Sequence, residues 1–194
     1  AVQEGKIQVE DYSNFQMCLR FMAGAMGIPF LPTTSSLGTD LVKIWGFSEE
    51  ERAVDPKMPN KKLVVIDNPF GNWFGTPKLV LVPAIRTDVT ILHVQKADRQ
   101  GTGRITGLTF ADVEQVKSAE HVILTCEELV NTSELRENPD RNNIPFLYVD
   151  AVVPIPYGAY PTACYGHYDN DPDCMWNYAK YAEDDLLFAD YMRK

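Results

Sequence analysis

The side chains best suited to chemistry in this sequence include two adjacent glutamates. Glu127 and Glu128 directly follow the apolar run HVILTC (121–126), which is typical of a buried strand. Carboxylates at the end of a strand in an open parallel sheet lie where ligands gather. The alternative, which we favour, is structural: both carboxylates begin the next helix and interact favourably with its dipole.

Three histidines are scattered along the chain rather than clustered. His93 lies inside the apolar run VTILHVQ (89–95), which favours a hydrogen-bonded core imidazole over a catalytic base. His121 begins a strand, and His167 lies in a tyrosine-rich segment, where it is the histidine expected nearest a pocket.

Metal and cofactor motifs are weak or missing. Cys164, His167 and Cys174 could bind zinc, but a fourth ligand with motif spacing is absent. DNDPD (169–173) resembles a calcium loop, yet its proline and the cysteine that follows stand where such a loop needs flexibility. GTGRITG (101–107) lacks the GxGxxG spacing and predicts a strand–turn–strand connection. There is no Walker A, GxSxG or HExxH motif, so we expect no metal and no tightly bound cofactor.

The four cysteines point to a reducing compartment. Cys18 and Cys126 lie in apolar segments, as buried free thiols do, and no CxxC pair is present. A disulfide between Cys164 and Cys174 remains open. We therefore expect a cytoplasmic protein.

Composition excludes several classes of protein. The 194 residues are 45% hydrophobic and 23% charged, with a net charge of −9, as in one ordinary globular domain, here predicted to span 1–194. An acidic chain without a basic stripe is repelled by nucleic acid and by anionic membranes, so neither is expected as a partner. The longest apolar runs, such as LVLVPAI (79–85), are too short to cross a bilayer.

Helices and strands alternate along the sequence. Ser13 and Gln16 form a capping box that begins a helix ending at Gly27, and a last helix is expected to begin after Asp171 and to run past Leu186. Strands are predicted at 62–67, 79–84, 89–95, 121–126 and 146–153. Continuous apolar strands between helices indicate an α/β fold with an open, mainly parallel sheet and helices on both faces, in a three-layer arrangement related to the Rossmann fold.

Five blocks resemble the α subunits of class I coenzyme A-transferases, closest to the glutaconate CoA-transferase type. The blocks are MGIPFLPTTSSLGTD (26–40), IDNPFG (66–71), VPAIRTDVTILHVQKADRQGTGRI (82–105), VILTCEELV (122–130) and IPFLYVDAVVPIPYGAYPTACYG (144–166). The resemblance implies that CoA moves between an acyl-CoA and a carboxylic acid, with CoA as a substrate. It also implies a β subunit of similar fold, an α2β2 or larger assembly, and an active site at the subunit interface.

The resemblance also divides the chemistry between the two kinds of subunit. A glutamate of the β subunit is the expected nucleophile and forms a glutamyl-CoA thioester, so no catalytic residue is expected in this chain. Family α subunits carry a further Gly-rich N-terminal stretch, and this chain is expected to be the part that follows it.

Two segments are expected to line the substrate pocket. Gly38 would allow close backbone approach, neighbouring hydroxyls could bind a carboxylate, and Tyr160 stands where related sequences often have His. The expected substrate-binding residues are Thr34, Ser35, Ser36, Leu37, Gly38, Thr39, Tyr157, Gly158, Ala159 and Tyr160. Two rivals stay open: a subunit of a ring-opening CoA-thioester hydrolase of the same architecture, and a non-catalytic ligand-sensing module of related fold.

Overall fold

The chain forms two compact units. The computed structural model describes residues 2 and 4–193. The first unit comprises the residues up to Thr90 together with Phe110–His121, and the second comprises Ile91–Thr109 together with the residues from Val122 onward. A single domain over 1–194 stays a prediction.

The described residues of the first unit form four α-helices and a small three-stranded sheet. Its elements are α1 (Asn14–Met26), β1 (Phe30–Thr33), α2 (Asp40–Lys43), α3 (Glu49–Val54), β2 (Val64–Asp67), β3 (Lys78–Pro83) and α4 (Asp112–Ser118). The sheet order is β1-β3-β2, and both pairings are antiparallel. Leu19, Leu63, Val80 and Val82 form its buried core.

The predicted capping box of α1 is confirmed. The Ser13 hydroxyl accepts from the Gln16 N–H, the Gln16 side chain accepts from the Ser13 N–H, and Gly27 ends the helix in the left-handed conformation with φ 69°. Leu19 and Ala23, four residues apart on one face, are buried, so the periodicity of the sequence selects the face that packs inward.

The second unit contains a four-stranded sheet and the C-terminal helices. Its elements are β4 (Thr87–Asp98), β5 (Gly103–Arg104), β6 (Ala119–Val130), α5 (Thr132–Arg136), β7 (Ala151–Pro154), α6 (Pro172–Tyr181) and α7 (Asp185–Tyr191). The first residues of β4 and of β6 belong to the first unit. Short 3₁₀ turns lie at Trp73–Gly75, Pro139–Arg141 and Phe146–Tyr148. The sheet order is β5-β4-β6-β7.

The α/β fold with open sheets is confirmed, and the strand pairings are mixed. β6 and β7 are parallel, which their long connection through α5 permits, whereas β4 and β5 are antiparallel because a tight turn joins them. That turn is the predicted strand–turn connection in GTGRITG: the Asp98 carboxylate accepts from the N–H groups of Gln100 and Thr102, both at 3.0 Å.

Two predicted elements toward the C-terminus differ from the structure in their boundaries. The strand expected at 146–153 begins only at Ala151, because 146–148 form a 3₁₀ turn. The helix expected to run past Leu186 is two helices, since the Asp184 side chain accepts from two following N–H groups and begins α7. Among the described residues, no helix has the length and apolar character needed to span a membrane.

Candidate functional site

A buried cluster of polar side chains lies on β4 and β6 in the second unit. Thr125 and Glu127 are two residues apart and therefore face the same side of β6, opposite His93 on neighbouring β4. His93 Nδ1 lies 2.9 Å from Thr125 Oγ1, and His93 Nε2 lies 2.7 Å from Glu127 Oε1. The side chains of Glu127 and His93 are 5% and 14% exposed, so both groups are largely withdrawn from water.

Glu127 is the acceptor for this cluster. Its Oε1 also accepts from the Tyr168 hydroxyl at 2.6 Å, and its Oε2 accepts from the Tyr157 N–H at 2.8 Å. Burial alone would raise the pKa of Glu127, but the hydrogen bonds from Tyr168, the Tyr157 N–H and His93 outweigh it and lower the pKa. Burial, together with the Glu127 contact, raises the pKa of Tyr168 to about 12. The cluster thus holds an ionised carboxylate beside a neutral phenol.

The structural interpretation of Glu127 and Glu128 as helix-start carboxylates is wrong. β6 continues to Val130, and the N-cap of α5 is Asn131, so both glutamates lie within the strand. Glu127 points to the buried cluster, whereas Glu128 is half-exposed and lies 3.5 Å from Lys96 Nζ. The expectation that the His93 imidazole is hydrogen-bonded is confirmed.

The cluster holds the predicted segment Tyr157–Tyr160. Tyr157 has φ 62° and stacks on Tyr168 with 4.9 Å between ring centroids. Gly158 lies so close to His93 that an added Cβ would be 2.6 Å from its ring carbon Cε1. The Ala159 N–H donates to the Tyr168 hydroxyl oxygen at 3.0 Å. Three members of the segment are therefore fixed by the Glu127 cluster.

Tyr160 has a different partner. Its hydroxyl donates to Asp171 Oδ2 at 2.5 Å, while Asp171 Oδ1 accepts from the Cys174 N–H at the start of α6. The hydrogen bond with Asp171 raises the pKa of Tyr160. A cavity of about 430 Å³ adjoins this contact; it is lined by Tyr160, Asp171, Asp173, Cys174, Asn177, Tyr181 and Tyr191.

The other predicted segment, Thr34–Thr39, belongs to the first unit and connects β1 to α2. Ser36 and Gly38 have φ 70° and 77°, and the Thr39 hydroxyl donates to the Ser36 carbonyl at 2.8 Å. Leu37 packs against the buried core, so its side chain has a structural role. An added Cβ at Gly38 would have no neighbour within 4 Å, so backbone conformation rather than crowding within the unit accounts for glycine there.

The potential metal ligands that lie together in the structure are not the three that the sequence suggested. Within residues 2 and 4–193, Cys164, His167 and Cys174 do not form a group of potential ligands, whereas His93, Glu127 and Cys164 do. All four cysteines are free in the structure. Alternation along β6 could have placed Thr125 and Glu127 together, but their contacts to His93 and Tyr168 depend on tertiary structure.

Comparison with known proteins assigns the family. The family model described as coenzyme A transferase matches residues 1–154. The chain belongs to the coenzyme A transferase family. It is 43% identical over 178 residues to the A subunit of glutaconate CoA-transferase from Acidaminococcus fermentans, covering 92% of this chain and 55% of that relative. It is also 29% identical to the A subunit of 3-oxoadipate CoA-transferase from Pseudomonas knackmussii, covering 88% of this chain and 54% of the relative.

A solved structure agrees with the sequence matches. The crystal structure of glutaconate coenzyme A-transferase from Acidaminococcus fermentans matches with a TM-score of 0.90 and 41% identity, covering 99% of this chain and 60% of that chain. The resemblance to this type of α subunit is thereby confirmed. The chain spans a little over half the length of these two curated relatives.

Proposed function

We propose that the protein containing this chain is the α subunit of a CoA-transferase, with 1–194 forming one α-subunit domain. The observation that carries the proposal is the 43% identity, over 92% of the chain, to the A subunit of glutaconate CoA-transferase. The substrates are an acyl-CoA and a carboxylic acid, with CoA exchanged between them rather than held as a resident cofactor. The partner is a β subunit in an α2β2 or larger assembly, and the location is the cytoplasm.

In the proposed reaction the nucleophile comes from the partner. A β-subunit glutamate attacks the thioester carbonyl, CoA leaves as the thiolate, and an acyl-glutamyl anhydride forms. The thiolate then attacks the glutamyl carbonyl, which releases the carboxylate and leaves a glutamyl-CoA thioester; the acceptor acid reverses these steps. Covalent intermediates keep the thioester's free energy from being lost to water. The role that we propose for this chain is therefore to bind and orient the substrates and to shield the covalent intermediates from water.

The segment Tyr157–Tyr160 is suited to contact the acyl group through its rings. Its amides are already engaged: those of Tyr157 and Ala159 donate to the Glu127 cluster, and those of Gly158 and Tyr160 donate to carbonyls within the turn. They are therefore not available as oxyanion donors. Tyr157 and Tyr160 are 66% and 48% exposed as whole residues, and their rings offer an apolar surface held by a hydrogen-bonded backbone.

The segment Thr34–Thr39 is suited to polar contacts. Among the described residues, no hydrogen bond uses the amides of Leu37 and Gly38 or the hydroxyl of Thr34. Backbone and hydroxyl donors of this kind can stabilise the oxyanions through which each acyl-transfer step passes. We therefore propose that this segment makes polar contacts with a substrate carbonyl or carboxylate.

Transfer assays with and without the β subunit test the proposal. The full-length protein that contains this chain, mixed with an acyl-CoA and acetate, should form no acetyl-CoA by itself and should form it once the β subunit is present. Robust transfer by the isolated α subunit would contradict the division of roles. Release of free CoA without transfer, with the β subunit present, would favour the hydrolase instead.

A further inference from the structure

The cluster around Glu127 contains three donor types that divalent metals bind. His93 offers a ring nitrogen, Glu127 a carboxylate oxygen and Cys164 a sulfur, and one such atom from each lies within 4.8 Å of the other two. The three residues belong to the second unit, and Cys164 is held in place by a bridge to Tyr168. Cys164 is 5% exposed, so the thiol is enclosed with the other two groups.

The hydrogen bonds of Thr125 favour one tautomer of His93. The Thr125 hydroxyl donates to the Leu92 carbonyl at 3.3 Å, so its single proton is used and its oxygen is left to accept from His93 Nδ1–H at 2.9 Å. A neutral ring with its proton on Nδ1 then directs the Nε2 lone pair at Glu127 Oε1, 2.7 Å away. In the hydrogen bond between His93 and Glu127 a proton lies between the two atoms, and a metal ion can take its place.

The nearby Cys164 sulfur favours a metal ion over a proton between His93 and Glu127. A nitrogen, an oxygen and a sulfur ligand together match the preference of Zn²⁺, which binds all three donor types in tetrahedral sites. Ligands of such a site are about 3.3 to 3.6 Å apart, so the three donors need to shift by roughly 1 Å or less.

The outer contacts of the cluster are those that metal ligands normally have. Thr125 accepts from the distal nitrogen of the His93 ring, and Tyr168 and the Tyr157 N–H donate to the Glu127 carboxylate. Such partners fix the tautomer of a ligating histidine and orient a ligating carboxylate. The cluster therefore has a second layer of supporting hydrogen bonds before any metal binds.

We propose that His93, Glu127 and Cys164 form a three-ligand Zn²⁺ site in the second unit. Zn²⁺ replaces the proton between His93 and Glu127 and displaces the proton of the Cys164 thiol, and a water completes the tetrahedron. The sequence analysis expected no metal, and this site departs from that expectation. The proposal depends on the geometry of these side chains and does not depend on the CoA-transfer reaction.

Cobalt substitution tests the site directly. The full-length protein is freed of metal with a chelator and titrated with Co²⁺. We expect one equivalent to bind with the near-ultraviolet charge-transfer absorption of a cobalt–thiolate bond, and Zn²⁺ to abolish that absorption by displacing cobalt. The Cys164→Ser variant should lack the absorption, whereas Cys18→Ser, a thiol of the first unit, should retain it.

A second variant separates metal binding from misfolding. Thr125→Val removes the acceptor of the His93 Nδ1–H and keeps all three ligands, so it should weaken Co²⁺ binding by about 10- to 100-fold. Circular dichroism checks that each variant is folded. Absence of the absorption in the unsubstituted protein, or its persistence in Cys164→Ser, would overturn the proposal and leave a proton between His93 and Glu127.

Discussion

The Glu127 carboxylate and the Tyr157 backbone form a direct contact: Oε2 accepts from the Tyr157 N–H at 2.8 Å. Tyr157 has φ 62°, a conformation that costs a non-glycine residue about 1 kcal/mol or more. A buried strand carboxylate thus compensates the backbone strain at the first residue of a segment that we propose to contact the acyl group. The contact joins the rigid sheet to the predicted site.

We expect Glu127→Gln to lower the free energy of unfolding by about 1–3 kcal/mol. An amide has a single acceptor oxygen in place of two, so either the Tyr168 hydroxyl or the Tyr157 N–H loses its acceptor. Chemical denaturation measures the loss. The control is Glu128→Gln, which removes a half-exposed carboxylate and should change stability by about 0–1 kcal/mol. Equal effects of the two variants would contradict the role assigned to Glu127.

Tyr168 should make the protein sensitive to alkaline pH. Its pKa is raised to about 12 in the folded state against an ordinary value of 10.0. Its contribution to the free energy of unfolding is therefore complete below pH 10 and is lost as the pH rises from 10 toward 12. Tyr168→Phe should therefore be less stable than the unsubstituted protein at neutral pH, and this difference should shrink across that interval. Thermal melting between pH 7 and 12 checks it, with the exposed Tyr165→Phe as control. A difference that is constant with pH would refute the assignment.

Gly158→Ala should destabilise the second unit through a steric clash. The added methyl group would lie 2.6 Å from His93 Cε1 and 2.9 Å from the Ile155 carbonyl oxygen, and overpacking of this kind costs about 1–3 kcal/mol. Chemical denaturation of the double variant Gly158→Ala/His93→Ala tests whether the clash with His93 is the cause. Without the His93 ring the methyl group has space, so the losses in free energy of unfolding of the two single variants should not add up in the double variant. Strict additivity would show that the His93 contact is not the source.

Substitutions at Gly38 can separate backbone conformation from ligand contact. Gly38 has φ 77° and open space around the position of an added Cβ. Gly38→Asn should therefore be tolerated, whereas Gly38→Ala should lower the free energy of unfolding by about 1–2 kcal/mol. If the loop approaches the substrate as we propose, Gly38→Asn should raise KM or lower kcat of the assembled enzyme while its melting temperature stays near that of the unsubstituted protein. Normal kinetics for Gly38→Asn would limit Gly38 to a structural role.

Local signals in the sequence predicted the elements better than the site. The capping box of Ser13 and Gln16 involves residues three apart, so a short window of sequence contains it completely. The ends of β6 and the break between α6 and α7 were missed, because the first depends on strand pairing and the second on the cap formed by Asp184.

The site depends on contacts between residues far apart in the sequence. Glu127 meets His93 across 34 positions and Tyr168 across 41, and no spacing rule predicts either contact. Alternation on β6 could have indicated that Glu127 faces the same side as Thr125. The resemblance to transferase α subunits was carried by longer blocks and is confirmed by the family match.

Covalent trapping of the thioester intermediate tests the central claim most directly. The assembled enzyme is incubated with acyl-CoA and then reduced with borohydride, which converts a glutamyl thioester to an alcohol. We predict the corresponding mass change on a glutamate of the β subunit, with no such change on the protein that contains this chain. Peptide mapping that placed the modification on Glu127 or Glu128 would contradict the account, and consumption of the thioester with neither protein modified would favour hydrolysis over transfer.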